Sequence, residues 1–557
     1  MTAHSHCPWT ATDPRAVGPA LPAARTGGPA GRHRRQRSGR SATRLAAPSH
    51  AIPVKIRTEC PNVRKKRRHP RRRGTRTGPK RTEGAQLRIA LLSYRSLPTC
   101  GGQGVYVRHL SRELVALGHH VQVLSGPPYP DLDDGVGLTE LPSLDLYRDS
   151  DPFRWPGMAE LRALPDVVEF AMMRTGQFSE PLSFSLRAYQ ALRPRAAGGR
   201  PPFDIVHDNQ GLGYGLLALR AALRPYRIPV VSTVHHPITV DRRLSLAAAS
   251  SFTARVGLRR WYSFLPMQAR VARGLDGVVI PSESSRREII ADMDLPSEVM
   301  HTVPLGVDAD VFTPAPAGTP AVAGRIVVVT SADVPLKGLG VLLEALAKLR
   351  SERAAHLICI GKVREGGQAQ RRVTELGLGD AVTFRSNVPE QELIALLRSA
   401  EVAVVPSLYE GFSLPAVEEM ACGIPLIATT AGALPEVAGV DGEAALLVPP
   451  GDPDALAGAI RTLLDDPARR ARMGAAGRRR VEERFSWRAA SAATAAWYAE
   501  RIAAVGGTPT SPYPGSSWSW APPTPASWPA GLASTATSAP AAAPGAPNSS
   551  ASPTLAG

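Results

Sequence analysis

The sequence predicts an α/β protein of two doubly wound parallel-sheet domains, and three observations carry that expectation. Short apolar runs rich in β-branched residues recur from about residue 87 to residue 500, and helix-period segments alternate with them. These runs are too many for one sheet. A Pro/Ala/Gly-rich connector near Pro304–Pro316 offers a seam between two.

Taken in order, the first set of strand runs is Arg88–Ser93, His120–Leu124, Asp204–His207, Pro229–Val234 and Gly277–Pro281. The second set is Arg325–Thr330, His356–Ile360, Ala381–Phe384, Val402–Pro406, Pro425–Thr429 and Ala444–Val448. Helical periodicity stands out over Val105–Leu117, Gly340–Arg350, Pro389–Ser399 and Pro453–Asp465. The expected domains are therefore 87–303 and 304–485, followed by a helix over 486–504 able to pack back on the first domain. A long polar stretch, 129–200, reads as an irregular insertion in the first domain and a candidate for shaping the acceptor side.

The two ends differ from this body. Residues 1–87 hold 21 Lys/Arg against 3 Asp/Glu, so they account for the whole net charge of +18; the other 470 residues carry 45 of each sign. Such a segment, 1–86, buries too little apolar surface to order itself and is expected to be a disordered basic arm. Because the body is neutral, nucleic-acid binding is disfavoured as its function. Residues 505–557 form a low-complexity tail rich in Pro, Ala and Ser.

Five scattered cysteines with no C-x-x-C spacing point away from a disulfide framework or a zinc site and toward a reducing, cytoplasmic compartment. No run approaches the ~18–20 apolar residues of a membrane span. The segment Arg259–Leu265, with Trp261, Tyr262 and Phe264 beside two arginines, suits peripheral contact with the inner face of an anionic membrane. An interior helix explains it equally well.

In a doubly wound sheet, ligands bind outside the carboxyl ends of the strands. Gly101, Gly102 and Gly104 follow the first strand and open a helix, where backbone can approach a ligand closely. The loop fits G-x-G-x-x-G poorly, and no acidic residue ends the second strand, so a dinucleotide cofactor is disfavoured. His207, with Asn209 beyond it, and His235–His236 end two further strands; each can meet a substrate hydroxyl. Lys337, beside Gly338 at a helix start, is a point charge placed for a diphosphate.

The strongest element is Glu410–Glu418, reading EGFSLPAVE. Ser413 caps a helix with Pro415 in its first turn, and Gly423 ends it. Two carboxylates thus bracket a row of backbone N–H groups. Carboxylates repel phosphate and suit hydroxyls, so the string reads as a cradle for a nucleotide sugar.

At these residues the chain resembles glycosyltransferase family 4, the retaining group of the GT-B fold. Glu410 and Glu418 match its E-x7-E signature, Pro281–Ser284, Val303–Asp308 and Thr429–Glu436 match its other turns, and Gly101–Gly102 its glycine loop. The resemblance implies two Rossmann-like domains facing across a cleft and transfer of a sugar from a GDP- or UDP-linked donor to a hydroxyl of a lipid, glycan or small molecule. It implies that Glu418 binds the donor ribose and Glu410 the sugar hydroxyls. Gly411, Phe412, Ser413 and Leu414 would present amides, Gly101 and Gly102 would lie against the diphosphate, Lys337 would neutralise it, and His235 would face the transferring sugar. No metal or other cofactor is implied. A nucleotide-sugar epimerase and a degenerate, binding-only transferase remain open alternatives. One departure stands out: Ser331–Ala332 replaces the family's Gly-Arg, which removes a second cation from the diphosphate.

Overall fold

A computed structural model of the chain describes residues 86–96, 102–148, 151, 153–194, 200–249 and 251–508. Gly101, the basic arm 1–85 and the tail from 509 onward lie outside the described residues.

Seven strands form the first sheet: β1 (Arg88–Ser93), β2 (His120–Ser125), β3 (Gly137–Glu140), β4 (Ile205–Asn209), β5 (Val230–Thr233), β6 (Val278–Ile280) and β7 (Met300–Thr302), in the order β3-β2-β1-β4-β5-β6-β7. Six form the second: β8 (Arg325–Val329), β9 (His356–Ile360), β10 (Val382–Arg385), β11 (Val402–Val405), β12 (Leu426–Thr429) and β13 (Ala445–Val448), in the order β10-β9-β8-β11-β12-β13. Every pairing between these strands is parallel. The strands read as continuous Val/Ile/Leu runs because helices cover both faces; Val402–Val405 is buried throughout. The winding direction reverses between β1 and β4 in one sheet and between β8 and β11 in the other. Those two crevices are where ligands are expected.

The eleven expected strand runs all lie on observed strands, and β3 and β7 are additions. Both are short sheet edges with little apolar content, so they leave almost no periodic signal. The stretch 129–200 corrects the expectation of an irregular insertion. It supplies edge strand β3 and helices Leu164–Arg174 and Glu180–Leu192. Tyr147, Phe178 and Phe184 from it join the core of the first domain. Some of its charged residues are drawn into ion pairs within the fold, such as Arg187 with Asp166 at 2.6 Å and with the buried Glu169 at 2.7 Å.

The aromatic segment near Arg259–Leu265 faces inward. Trp261, Tyr262, Phe264 and Leu265 are all buried in that same core, with Trp261 packed on Phe178 at 5.0 Å. The membrane-facing reading of these aromatics is therefore corrected: the rings are core residues, and Arg259, Arg260 and Ser263 are the exposed residues of the segment. No helix among the described residues is long and apolar enough to cross a membrane.

After β7 the chain crosses to the second sheet, and it returns near residue 486. The two crossings touch: the Val307 N–H donates to the Phe485 carbonyl at 2.7 Å. Gly306 has no side chain because a Cβ there would lie 2.3 Å from the Trp487 nitrogen. The final helix, Trp487–Ala504, then packs on the first domain, with Trp487, Trp497, Tyr498 and Ile502 joining Ile89, Leu91 and Val107.

Tyr498 ends in a polar chain inside this core. His207 meets the Tyr498 hydroxyl through Nδ1 and the Thr233 hydroxyl through Nε2 at 2.7 Å, and Tyr106 reaches the same Thr233 oxygen at 2.9 Å. His207 is fully buried, so it is a structural residue and not the substrate contact expected from its strand-end position. Burial pushes its pKa down to about 3 from 6.5. The unfolded chain takes up a proton below 6.5 and the folded one does not. The stability that His207 contributes is thus complete above pH 6.5 and falls as pH drops toward 3. A His207→Gln variant should be less stable than the parent at pH 7, and the gap should shrink by about 2 kcal/mol at pH 5. Urea unfolding at the two pH values measures it; a constant gap would contradict a neutral, buried His207.

Candidate active site

The clearest feature of the second domain sits at its switch point. The loop after β8 passes through a turn at Pro335–Lys337 to Gly338, which has φ +67°. A Cβ on Gly338 would lie 1.9 Å from the Pro406 carbonyl oxygen, so glycine alone lets the two loops meet. The Leu408 N–H donates to the Leu336 carbonyl at 2.8 Å and locks them together. Lys337 is thereby brought to Glu410, on the loop after β11. Its ammonium donates to Glu410 Oε1 at 2.7 Å, and the Ser407 hydroxyl donates to the same oxygen at 2.7 Å. Both charged residues are buried, Lys337 at 2% exposure and Glu410 at 6%.

The neighbouring loop braces this pair from behind. The Ala433 N–H donates to the Glu410 carbonyl at 2.9 Å, and Thr429 donates to the Ser407 carbonyl at 2.6 Å. Past Gly411, Ser413 caps the helix Leu414–Ala421 and accepts from the Ala416 N–H. Phe412, Ser413 and Leu414 are all buried at this helix start. Ser413 holds φ +90°, a left-handed strain for a non-glycine residue at a site of this kind. Glu418 lies on the same helix, and burial raises its carboxyl above the ordinary range. Glu419 beside it is fully buried, and burial, then the Glu418 charge, push it up further.

The first domain meets this loop directly. A Cβ on Gly411 would stand 2.9 Å from His236 Cβ and 3.0 Å from the His235 carbonyl oxygen. The Gly411 carbonyl accepts from the Ser282 hydroxyl at 2.7 Å and from the Ser285 hydroxyl at 3.1 Å. Glu436 accepts from the Glu283 and Ser284 N–H groups, at 2.8 and 2.6 Å, at the start of the helix Glu283–Met293. A carboxylate from one domain thus caps a helix dipole of the other. Tyr409 donates to Glu288, and Arg112 pairs with Asp308 at 3.1 Å.

His235 is held from its own side. Its ring contacts Asn209 Oδ1 through Nε2 at 2.7 Å, its backbone N–H donates to Gln210 Oε1 at 2.8 Å, and Tyr106 packs edge-on at 4.7 Å. Asn209 is fully buried, so it acts on His235 and not as the free substrate contact its position suggested.

Two family models match the chain: Glycosyltransferase Family 4 over residues 100–311, and Glycosyl transferases group 1 over residues 319–480. An MMP alpha-(1->4)-mannosyltransferase of Mycolicibacterium hassiacum is 51% identical over 420 residues, which are 75% of this chain and 99% of that protein. The chain belongs to glycosyltransferase family 4. A D-inositol 3-phosphate glycosyltransferase of Streptomyces avermitilis is 30% identical over 438 residues, covering 74% of this chain and 87% of its own. Among solved structures, sucrose-phosphate synthase from Thermosynechococcus elongatus has a TM-score of 0.54 at 25% identity, covering 75% of this chain and all of that one. Anabaena HepE in complex with UDP and glucose, at 19% identity and TM-score 0.51, shares the fold over 74% of this chain and 99% of its own.

The glycosyltransferase thus has the GT-B architecture, and the structure brings the loops that carry His235, Lys337, Glu410, Gly411 and the helix start at Ser413 together where the two domains meet. Gly102 opens the helix Gly102–Ala116, and Gly101 lies outside the described residues. The sequence reading missed Ser282, Ser285, Glu436 and the Tyr409–Glu288 pair as links between domains. It also missed Gln210 as a brace of His235. Nothing in a single strand or helix pattern marks a partner on another domain. No group of three or more His, Cys, Asp or Glu side chains among the described residues is arranged to hold a metal.

Removing one member of a buried ion pair leaves the other charge stranded, at about 3–5 kcal/mol. Lys337→Met should therefore lower stability by that order. Lys337→Met with Glu410→Gln should recover most of the loss while sugar transfer stays abolished. Denaturant unfolding of the single and double variants checks this; no recovery in the double variant would contradict the pair.

Proposed function

We propose that this transferase moves mannose from a nucleoside-diphosphate mannose, GDP- or UDP-linked, to a hydroxyl of an α-linked mannose chain, making an α-(1→4) bond with retention. What supports the reading is the 51% identity to a mannosyltransferase of that linkage along nearly its whole length, together with a site suited to a nucleotide sugar.

On this reading the donor diphosphate lies over the helix start at Ser413–Leu414, where unpaired amides and the dipole favour negative charge. Lys337 turns from Glu410 to the leaving phosphate as charge develops there, and Glu410 receives the sugar hydroxyls. Glu418 holds the ribose. A carboxyl raised by burial still accepts a hydrogen bond from a hydroxyl, and when protonated it also donates one. Lys337 and the amides together replace a metal at the diphosphate.

The test is transfer from GDP- and UDP-linked mannose and glucose to α-(1→4) manno-oligosaccharides, with D-inositol 3-phosphate as the competing acceptor and chelator in parallel. The expected result is oligosaccharide extension by mannose, insensitive to chelator, and lowered at least about 100-fold by Glu410→Ala. Extension of inositol phosphate alone would overturn the acceptor assignment. A donor altered without any acceptor would point to an epimerase.

A further inference from the structure

His235 sits on the loop after β5, and the hydrogen bonds around it fix more than its position. Asn209 Nδ2 reaches the Gln103 carbonyl oxygen at 3.3 Å and Ser93 Oγ at 3.4 Å. A carbonyl oxygen only accepts, so this end of the amide must be the NH2 group. The other end, Oδ1, has no proton to give, yet it lies 2.7 Å from His235 Nε2. The proton between them must therefore be on the imidazole.

We infer that Asn209 is a positioning residue that holds His235 as the Nε2–H tautomer, so that Nδ1 is the ring's acceptor for a substrate hydroxyl. The inference rests on the proposed transfer reaction and assigns this side chain a part in it.

The backbone is shaped for the task. Gln210 and Leu212 both adopt positive φ, +55° and +51°, in the turn after β4. Asp208 holds the turn closed by accepting from the Leu212 N–H at 3.0 Å and the Ser232 hydroxyl at 2.9 Å. A Cβ on Gly211 would lie 2.7 Å from Asp208 Oδ1. This strained turn points Asn209 at the ring while Gln210 spans His235 N and His236 O, at 2.8 and 2.9 Å. Gln103 lies in the first turn of the helix Gly102–Ala116, so the same amide joins His235 to the glycine loop.

The ionisable groups around the ring come from each packed element. Tyr106 stands on the helix Gly102–Ala116, His207 on β4, and His236, paired with Asp241 at 2.9 Å, on the same loop. Across the cleft, Glu410 precedes Gly411 and is paired with Lys337. Burial, then the neighbouring His236, push the His235 pKa down to about 3. The ring is accordingly neutral across the working range, and its tautomer is what Asn209 selects.

Two measurements on the full chain test this. Nitrogen-15 NMR of histidine-labelled parent, with His235→Gln to assign the signal, should show a protonated Nε2 and a lone-pair Nδ1 from pH 8 to pH 6. A protonated Nδ1 would overturn the inference, whatever the enzyme transfers. The second uses Asn209→Asp, which keeps the shape and places a carboxylate against Nε2. It should raise the imidazole pKa, so that Nδ1 gains a proton as pH falls. Turnover should then drop at least about fivefold from pH 8 to pH 6, with the donor KM unchanged and the parent profile flat. Superimposable profiles of parent and variant would overturn it. A parent that transfers no mannose, with the tautomer as stated, would instead count against the proposed reaction.

Discussion

A lysine and a glutamate kept together out of water, each anchored to a different loop, are the constraint on which this molecule turns. Neither charge of Lys337–Glu410 would be tolerated alone at such low exposure. The pair exists only because the sheet reverses its winding between β8 and β11, which sets the two loops side by side. Gly338, with no room for a Cβ, lets the loops close. Everything else at the site is arranged about that point: Ser407 behind the carboxylate, Ala433 under its backbone, and the capped helix beyond.

The second constraint is the approach of the two sheets. Gly411 carries no side chain where the His235–His236 backbone arrives, and its carbonyl takes two serine hydroxyls from the other domain. Glu436 adds a second cap, from the other domain, to the helix Glu283–Met293, whose Ser285 N–H already donates to the Ser282 hydroxyl at 3.0 Å. The chain passes between domains twice, and Arg478 ties the outgoing crossing down by donating to the Phe312, Ala309 and Ala421 carbonyls. One of those carbonyls ends the helix that starts at Ser413, so the crossing and the site share one anchor. Exposed ion pairs elsewhere, such as Arg461–Glu352, contribute little by comparison.

The fold was largely legible in the sequence because buried parallel strands are apolar on both faces and leave dense runs, as Val402–Val405 does. Edge strands β3 and β7 were illegible for the opposite reason. The string Glu410–Glu418 was legible because it is local: its cap, the start of its helix and its acids lie within nine residues. What eluded sequence reading were the particular contacts between residues far apart in the chain, such as those of Ser282 and Ser285 with Gly411. His207 and Asn209 looked alike as strand-end polar residues, yet one is buried against Tyr498, 291 positions away, and the other braces His235. The aromatics at Trp261–Phe264 suited a membrane face and an interior helix alike in sequence, because arginines flank them, and the packing of Phe178 and Tyr147 shows them to be core.

If Lys337 and Glu410 guard the donor site, a bound donor must separate them. A crystal structure with a non-hydrolysable nucleoside-diphosphate mannose measures this directly. The account predicts the Lys337 ammonium within about 3 Å of a phosphate oxygen and Glu410 bonded to sugar hydroxyls at similar range. A donor bound in the cleft with the 2.7 Å Lys337–Glu410 contact intact would contradict it.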